Sequence, residues 1–173
     1  MTVPAGGEAG GEAWGGDPAL PIDPDVDVED VATGTPVHLR PALIALVFVG
    51  GAAGVAAREG LCLAFPAVNG ISYTILAINV VGAFLLGVLL ESLARRGPDH
   101  GRRRTQRLLL GTGFMGGFTT YSTLATDTAQ LIGDGRVGAG TGYGLATVLV
   151  GAAATLAGIA VGVAAHHPRG ETA

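Results

Sequence analysis

Between Thr119 and Thr128 the chain reads Thr-Thr-Tyr-Ser-Thr-Leu-Ala-Thr-Asp-Thr, a run in which only Leu124 and Ala125 are apolar. It follows Gly111-Thr112-Gly113-Phe114-Met115-Gly116-Gly117-Phe118. Paired glycines weaken a helix and let neighbouring backbones approach closely, so the spacing predicts a helix break near Gly116–Thr119. In an apolar medium such a break does chemistry without any titrating group. Its released carbonyls coordinate a small cation, and the N-terminus of its second half favours an anion. The same pattern fits a kinked helix whose hydroxyls bond back to their own turn, and spacing alone leaves both readings open.

Other polar residues stand alone in apolar surroundings, where each must find a partner or line a wet cavity. Asn79 either offers amide donors to an anion or bridges two helices. Arg58 closes Gly50-Gly51-Ala52-Ala53-Gly54-Val55-Ala56-Ala57. It either neutralises an anion route, pairs with Glu59, or snorkels to a headgroup. Tyr143, Thr147, Gly151 and Thr155 recur at i, i+4, so they share one helix face. That face lines a narrow ion path or packs a neighbouring helix. Gly50/Gly54, Gly113/Gly117, Gly138/Gly142 and Gly158/Gly162 also carry the spacing of close helix packing.

The elements that would position these residues are membrane spans. Of 173 residues, 49% are apolar and only 14% charged, and the mean hydropathy is +0.49. The uncharged stretches 41–57, 60–90, 108–126 and 137–165 are near or above the ~18–20 residues that cross a ~30 Å hydrocarbon layer. They predict four transmembrane helices over 41–64, 72–93, 107–132 and 138–165. A turn at Pro66–Gly70, the segment Ala94–Arg107, and Gly133-Asp134-Gly135 separate them. Residues 1–40 hold eight of the fourteen acids and one arginine, which predicts a disordered acidic N-terminal tail rather than a signal peptide. The four-span domain is expected over 41–165, with a short C-terminal tail at 166–173 that the orientation below makes cytoplasmic.

All ten basic residues are arginines. Arg95, Arg96, Arg102, Arg103, Arg104 and Arg107 lie between the second and third expected spans, with Arg40 and Arg169 on the same side. Only Arg136 lies opposite. Cytoplasmic loops retain positive charge, so both termini are expected in the cytoplasm. A net charge of −4 with no basic domain argues against a nucleic-acid partner. One cysteine, Cys62, excludes an internal disulfide.

Three segments, taken in order, resemble the Fluc/CrcB fluoride channel family. They are Gly50 to Arg58, Thr74-Ile75-Leu76-Ala77-Ile78-Asn79-Val80-Val81-Gly82-Ala83-Phe84-Leu85-Leu86-Gly87, and Gly113-Phe114-Met115-Gly116-Gly117-Phe118-Thr119-Thr120-Tyr121-Ser122-Thr123. The third is similar to the family's Gly-Gly-Phe-Thr-Thr-Phe-Ser-Thr signature. The resemblance covers about 43–165. It implies an all-α membrane protein of four spans with a break in the third, working as an antiparallel dual-pore dimer in the plasma membrane. It also implies passive fluoride efflux and no enzymatic step.

Position by position, the resemblance implies that Gly116 and Thr119 offer backbone carbonyls to a structural sodium at the dimer interface. Asn79 would be a polar pore residue. Tyr121 and Leu124 match two phenylalanines whose ring edges face the fluoride path, Ser122 and Thr123 match the signature, and Tyr143 and Thr147 match a hydroxyl track. Arg58 would sit beside the anion route. Here Tyr121 adds a hydroxyl, Leu124 supplies no ring, Glu59 stands where an aromatic is common, and Asp127 stands where glutamate is usual. An antiparallel homodimer needs near-balanced arginines, and eight against one favours pairing with a second, paralogous four-span chain. Two other classes remain: a proton-coupled multidrug exporter using Glu59, Glu91 or Asp127, and a subunit that only packs helices.

Overall fold

The computed structural model describes residues 40–165. The expected acidic tail, apart from Arg40, and the segment 166–173 lie outside the described residues. Among these residues the chain is helical, with one isolated antiparallel bridge between Val68 and Ile71. Helix α1 (Pro41–Ala64) opens on proline at its first turn, where a missing N–H costs nothing. Helix α2 (Tyr73–Ala94) starts at Ser72, whose hydroxyl accepts from Ile75 N at 3.3 Å. Between them Asn69 (φ 52°) and Gly70 (φ 76°) make the tight reversal that closes the bridge.

After α2 comes a short helix, α3 (Arg102–Gln106), which widens into a π-helical segment over Arg107–Met115 and continues as α4 (Gly116–Phe118). The backbone is then extended at Thr119 (ψ 157°) and Thr120 (φ −148°, ψ 124°). Helix α5 (Tyr121–Gly133) follows. Asp134, Gly135 and Arg136 lead into α6 (Val137–Ala164). Three helices, α1, α2 and α6, are long and apolar enough to cross a bilayer. Over the expected third span, 107–132, no single helix runs the length.

The packing reverses that of a soluble domain. Large apolar side chains such as Phe48, Leu63, Leu149 and Leu156 face outward, while the buried positions of the long helices are mostly glycines. Without water to drive apolar groups together, close backbone contact holds the helices. Helix α1 lies against the π segment and α4, and α2 lies along α6. At the first crossing Gly54 meets the Phe114 carbonyl, and at the second Gly158 meets the Phe84 carbonyl. A side chain at either glycine would strike backbone that cannot yield.

Two small clusters of side chains fill the remaining interior. One joins Ile75, Leu124, Leu131 and Tyr143; the other joins Ile78, Met115 and Phe118. Phe114 and Phe118 stack with ring centroids 5.7 Å apart. At the loop end, Arg136 Nη1 donates to the Asn69 carbonyl at 2.5 Å, tying the α5–α6 link to the α1–α2 link. Tyr143 Oη donates to the Ser72 carbonyl at 3.2 Å, which fixes α6 against the start of α2.

Gly158→Val should therefore force α2 and α6 apart, since even the first carbon would sit 3.0 Å from Val88 N. Overpacking of this kind costs about 1–3 kcal/mol or more. Gly142, where an added carbon meets nothing within 4 Å, provides the control. Melting in detergent is expected to fall for Gly158→Val and to stay near wild type for Gly142→Val; equal melting of the two would contradict the close crossing.

Candidate functional site

A continuous helix through residue 120 would send the Thr120 N–H to the Gly116 carbonyl. Here that N–H donates instead to Asn79 Oδ1 at 2.8 Å, and Asn79 Nδ2 donates to the Thr120 carbonyl at 2.9 Å. One carboxamide thus satisfies both backbone groups of one residue. Since an amide N–H must face oxygen, this exchange also fixes which end of the Asn79 amide is which. Of the two roles open to Asn79 from its position, bridging is the one seen among the described residues.

The hydroxyls around the extended pair settle the rest of the local bonding. Thr119 Oγ1 donates to the Met115 carbonyl at 2.8 Å, which already accepts from Thr119 N at 3.0 Å. Thr120 Oγ1 caps α5 by accepting from Thr123 N at 3.2 Å, and it lies 3.2 Å from Ser122 Oγ and 3.1 Å from Thr123 Oγ1. The Thr123 N–H is therefore turned to a side chain rather than to the Thr119 carbonyl. Both Gly116 and Thr119 carbonyls lose the i+4 donor that an unbroken helix would give them. Gly116 is also exposed, with nothing within 4 Å of its side-chain position.

Two opposite partial charges therefore lie side by side. The relieved carbonyls are electron-rich, and the first N–H groups of α5 carry the positive end of a 13-residue helix dipole. The donor set is backbone oxygen, which suits a hard monovalent cation of the sodium type. Among the described residues no group of three or more His, Cys, Asp or Glu side chains could hold a metal. A cation here would rest on carbonyls.

The other expected site residues divide. Tyr121 is 80% exposed and points out of the chain, Ser122 is exposed, and Thr123 is half-buried. Leu124 goes the other way: at 6% exposure it packs inside with Ile75, Leu131 and Tyr143. Thr147 is 3% exposed and its hydroxyl donates to the Tyr143 carbonyl at 2.8 Å, one turn back on its own helix. Arg58 pairs with the neighbouring Glu59, Nη2 to Oε1 at 3.2 Å. Leu124 and Tyr143 are thus brought together, while Tyr121 and Arg58 stand apart from them.

Thr120 is the positioning residue that reading the sequence missed. Its signal was present, since a threonine before a helical run is a common cap and a mid-span asparagine needs two partners. Asp127 Oδ2 and Thr128 Oγ1 are buried without a hydrogen-bond partner among the described residues.

The sequence profile of the family described as CrcB-like protein, Camphor Resistance (CrcB), matches residues 45–159. A Leifsonia xyli protein named fluoride-specific ion channel FluC 2 is 58% identical over 138 residues, covering 80% of this chain and 95% of its own. A Cutibacterium acnes protein named fluoride-specific ion channel FluC 1 is 46% identical, over 65% of this chain and 80% of its own. The Agrobacterium fabrum protein named fluoride-specific ion channel FluC is 40% identical, over 69% and 94%.

Removing the Asn79 carboxamide should strand the Thr120 N–H, on a residue only 7% exposed, while the Thr120 carbonyl, at the N-cap, keeps the first bond of α5. Each buried group left unsatisfied costs about 1–3 kcal/mol. Asn79→Ala is expected to melt well below wild type in detergent. Thr120→Ser, which keeps the backbone bonds and the capping oxygen, should melt close to it. Wild-type melting of Asn79→Ala would show that the exchange carries no weight.

Proposed function

Since this chain belongs to the CrcB-like family, we infer that it is a fluoride-specific ion channel subunit that lets fluoride leave the cell passively and so lowers its toxicity. The observation that carries the mechanism is the Asn79–Thr120 exchange, because it divides one membrane segment into two halves while both backbone groups of Thr120 stay bonded. We count the segment 107–132 as the fourth crossing beside α1, α2 and α6. An even number of crossings puts both termini on one side, and the arginine bias makes that side the cytoplasm of a plasma membrane.

Fluoride is small and strongly hydrated, so a dry pore must replace its water with directed donors. The donors on offer are the hydroxyls of Ser122 and Thr123 and the second hydrogen of Asn79 Nδ2; the hydroxyl track of Tyr143 and Thr147 would join them by turning from the Ser72 and Tyr143 carbonyls that these two hydroxyls engage. The ring edge of Tyr121 adds a weak positive face, and its exposure suits a path shared with another chain. Arg58 would draw the anion toward the route. Selection over chloride then rests on width and on how fully these donors replace the shell.

The working unit is proposed to be an antiparallel dimer with a pore on each side of the two-fold axis. At that axis the Gly116 and Thr119 carbonyls of two chains would hold a structural sodium. The ion would supply fixed positive charge that ties the subunits together. The relieved carbonyls support this reading. The partner is proposed to be a paralogous four-span chain. Arg136, the lone arginine of the opposite face, is tied to the Asn69 carbonyl. Leu124 offers no ring, so a complete aromatic set would come from the partner.

A proton-coupled exporter would need a free carboxylate in the membrane. Glu59 and Glu91 are both held by arginines, and of these three carboxylates Asp127 is the one that keeps a buried oxygen without a partner among the described residues.

Fluoride-electrode recordings on proteoliposomes holding the chain with its partner should show efflux far above empty vesicles. Efflux no faster than the empty-vesicle leak would end the channel reading, and drug resistance lost on Asp127→Asn would favour the exporter. C-terminal reporters active on one side of the membrane are expected to signal from the cytoplasm alone. Equal signals from both sides, with efflux by this chain alone, would refute the heterodimer.

A further inference from the structure

Six arginines stand between α2 and Arg107, and their side chains form two sets. Arg103, Arg104 and Arg107 are half-buried and turn inward. Arg103 Nε donates to the Pro98 carbonyl at 2.9 Å and its Nη1 to the Arg96 carbonyl. Arg104 Nε donates to the Asp99 carbonyl at 3.2 Å, and Arg107 holds the Asp99 carboxylate through Nη2 at 2.7 Å. Guanidinium groups thus brace the loop in place of an apolar core.

Arg95, Arg96 and Arg102 form the outer set, exposed on that braced loop. Arg95 keeps Nε on Glu91 Oε1 at 2.6 Å, which leaves the far edge of its fork outward. The bond from Arg103 to the Arg96 carbonyl draws the two arms of the loop together, so the three outer arginines share one end of the fold. Between Glu91 and Arg107 the sequence carries six arginines and two acids, Glu91 and Asp99. We propose that this loop binds the phosphate of an anionic lipid headgroup, with Arg95, Arg96 and Arg102 meeting the phosphate.

The placement selects a lipid over a free anion. The loop joins α2, a helix of membrane-crossing length, to the π segment. Its guanidinium groups therefore lie where the hydrocarbon ends. Just inside, Leu90 and Leu110 are exposed, and α2 meets the π segment where Leu90 approaches Gly111. An acyl chain can lie over these leucines while the phosphate takes paired N–H bonds from planar forks, which ammonium groups would supply less well. Juxtamembrane basic clusters attract anionic lipid surfaces by the same charge.

Native mass spectrometry of the purified full chain in detergent tests this with phosphatidylglycerol, phosphatidylcholine and inorganic phosphate as probes. Phosphatidylglycerol should be retained in clear excess over phosphatidylcholine, and Arg102→Gln should weaken its retention about fivefold. No internal bond involves the Arg102 side chain among the described residues, so that variant should elute as wild type does. The triple variant R95Q/R96Q/R102Q should retain both lipids alike. Equal retention by the wild type, or retention unchanged by Arg102→Gln, would overturn the proposal. Displacement of the lipid by millimolar inorganic phosphate would overturn its assignment to lipid.

Discussion

Every backbone N–H and C=O in an apolar medium must find a partner within the protein, and an interrupted helix breaks that rule unless another group steps in. Asn79 is that group. Its carboxamide has the same donor and acceptor as a peptide bond, and it engages both polar atoms of Thr120 at 2.8 and 2.9 Å. Once it does, the chain can extend at Thr119 and Thr120 with both backbone groups of Thr120 bonded. The local consequences follow in order: the Gly116 carbonyl is relieved, Thr120 Oγ1 becomes a cap, and α5 starts afresh. A single side chain, 41 positions earlier, holds open the segment on which the proposed cation and anion sites both depend.

That bond requires α2 to lie at one depth against the extended pair, and small residues set the depth. Gly82, one turn after Asn79 on the same face, meets the Thr119 methyl group. A larger residue there would lift α2 away and lengthen the Asn79 bonds. Gly87 and Gly158 seat α2 on α6, and Gly54 seats α1 on the π segment near Phe114. The glycines that inflate the composition are thus positioning devices, and the large apolar residues they displace cover the outside.

The long elements were legible because their cause is local. Length without charge marks α1, α2 and α6, and Gly133-Asp134-Gly135 marks the link before α6. The polar run and Asn79 also stood out, since polar groups are rare in such stretches. The partners of the opening were less legible. The glycine pairs place the weak point near Gly116–Thr119, and the extended residues are Thr119 and Thr120, opposite Asn79. Weakness is a property of the segment; where it opens depends on a partner far along the chain. The π-helical stretch 107–115, which packs against α1, left no sequence signal. Leu124 aligned with pore residues by motif, yet its helix face turns it inward among Ile75, Leu131 and Tyr143.

The central claim is that the Asn79 side chain, rather than the Gly116 carbonyl, takes the Thr120 N–H. Solid-state NMR of the protein in bilayers, labelled at asparagine and threonine, reads this directly. The account predicts a close dipolar contact between the Asn79 side-chain nitrogen and the Thr120 carbonyl carbon, with extended-type shifts at Thr119 and Thr120. Helical shifts at both threonines, with no such contact, would contradict it.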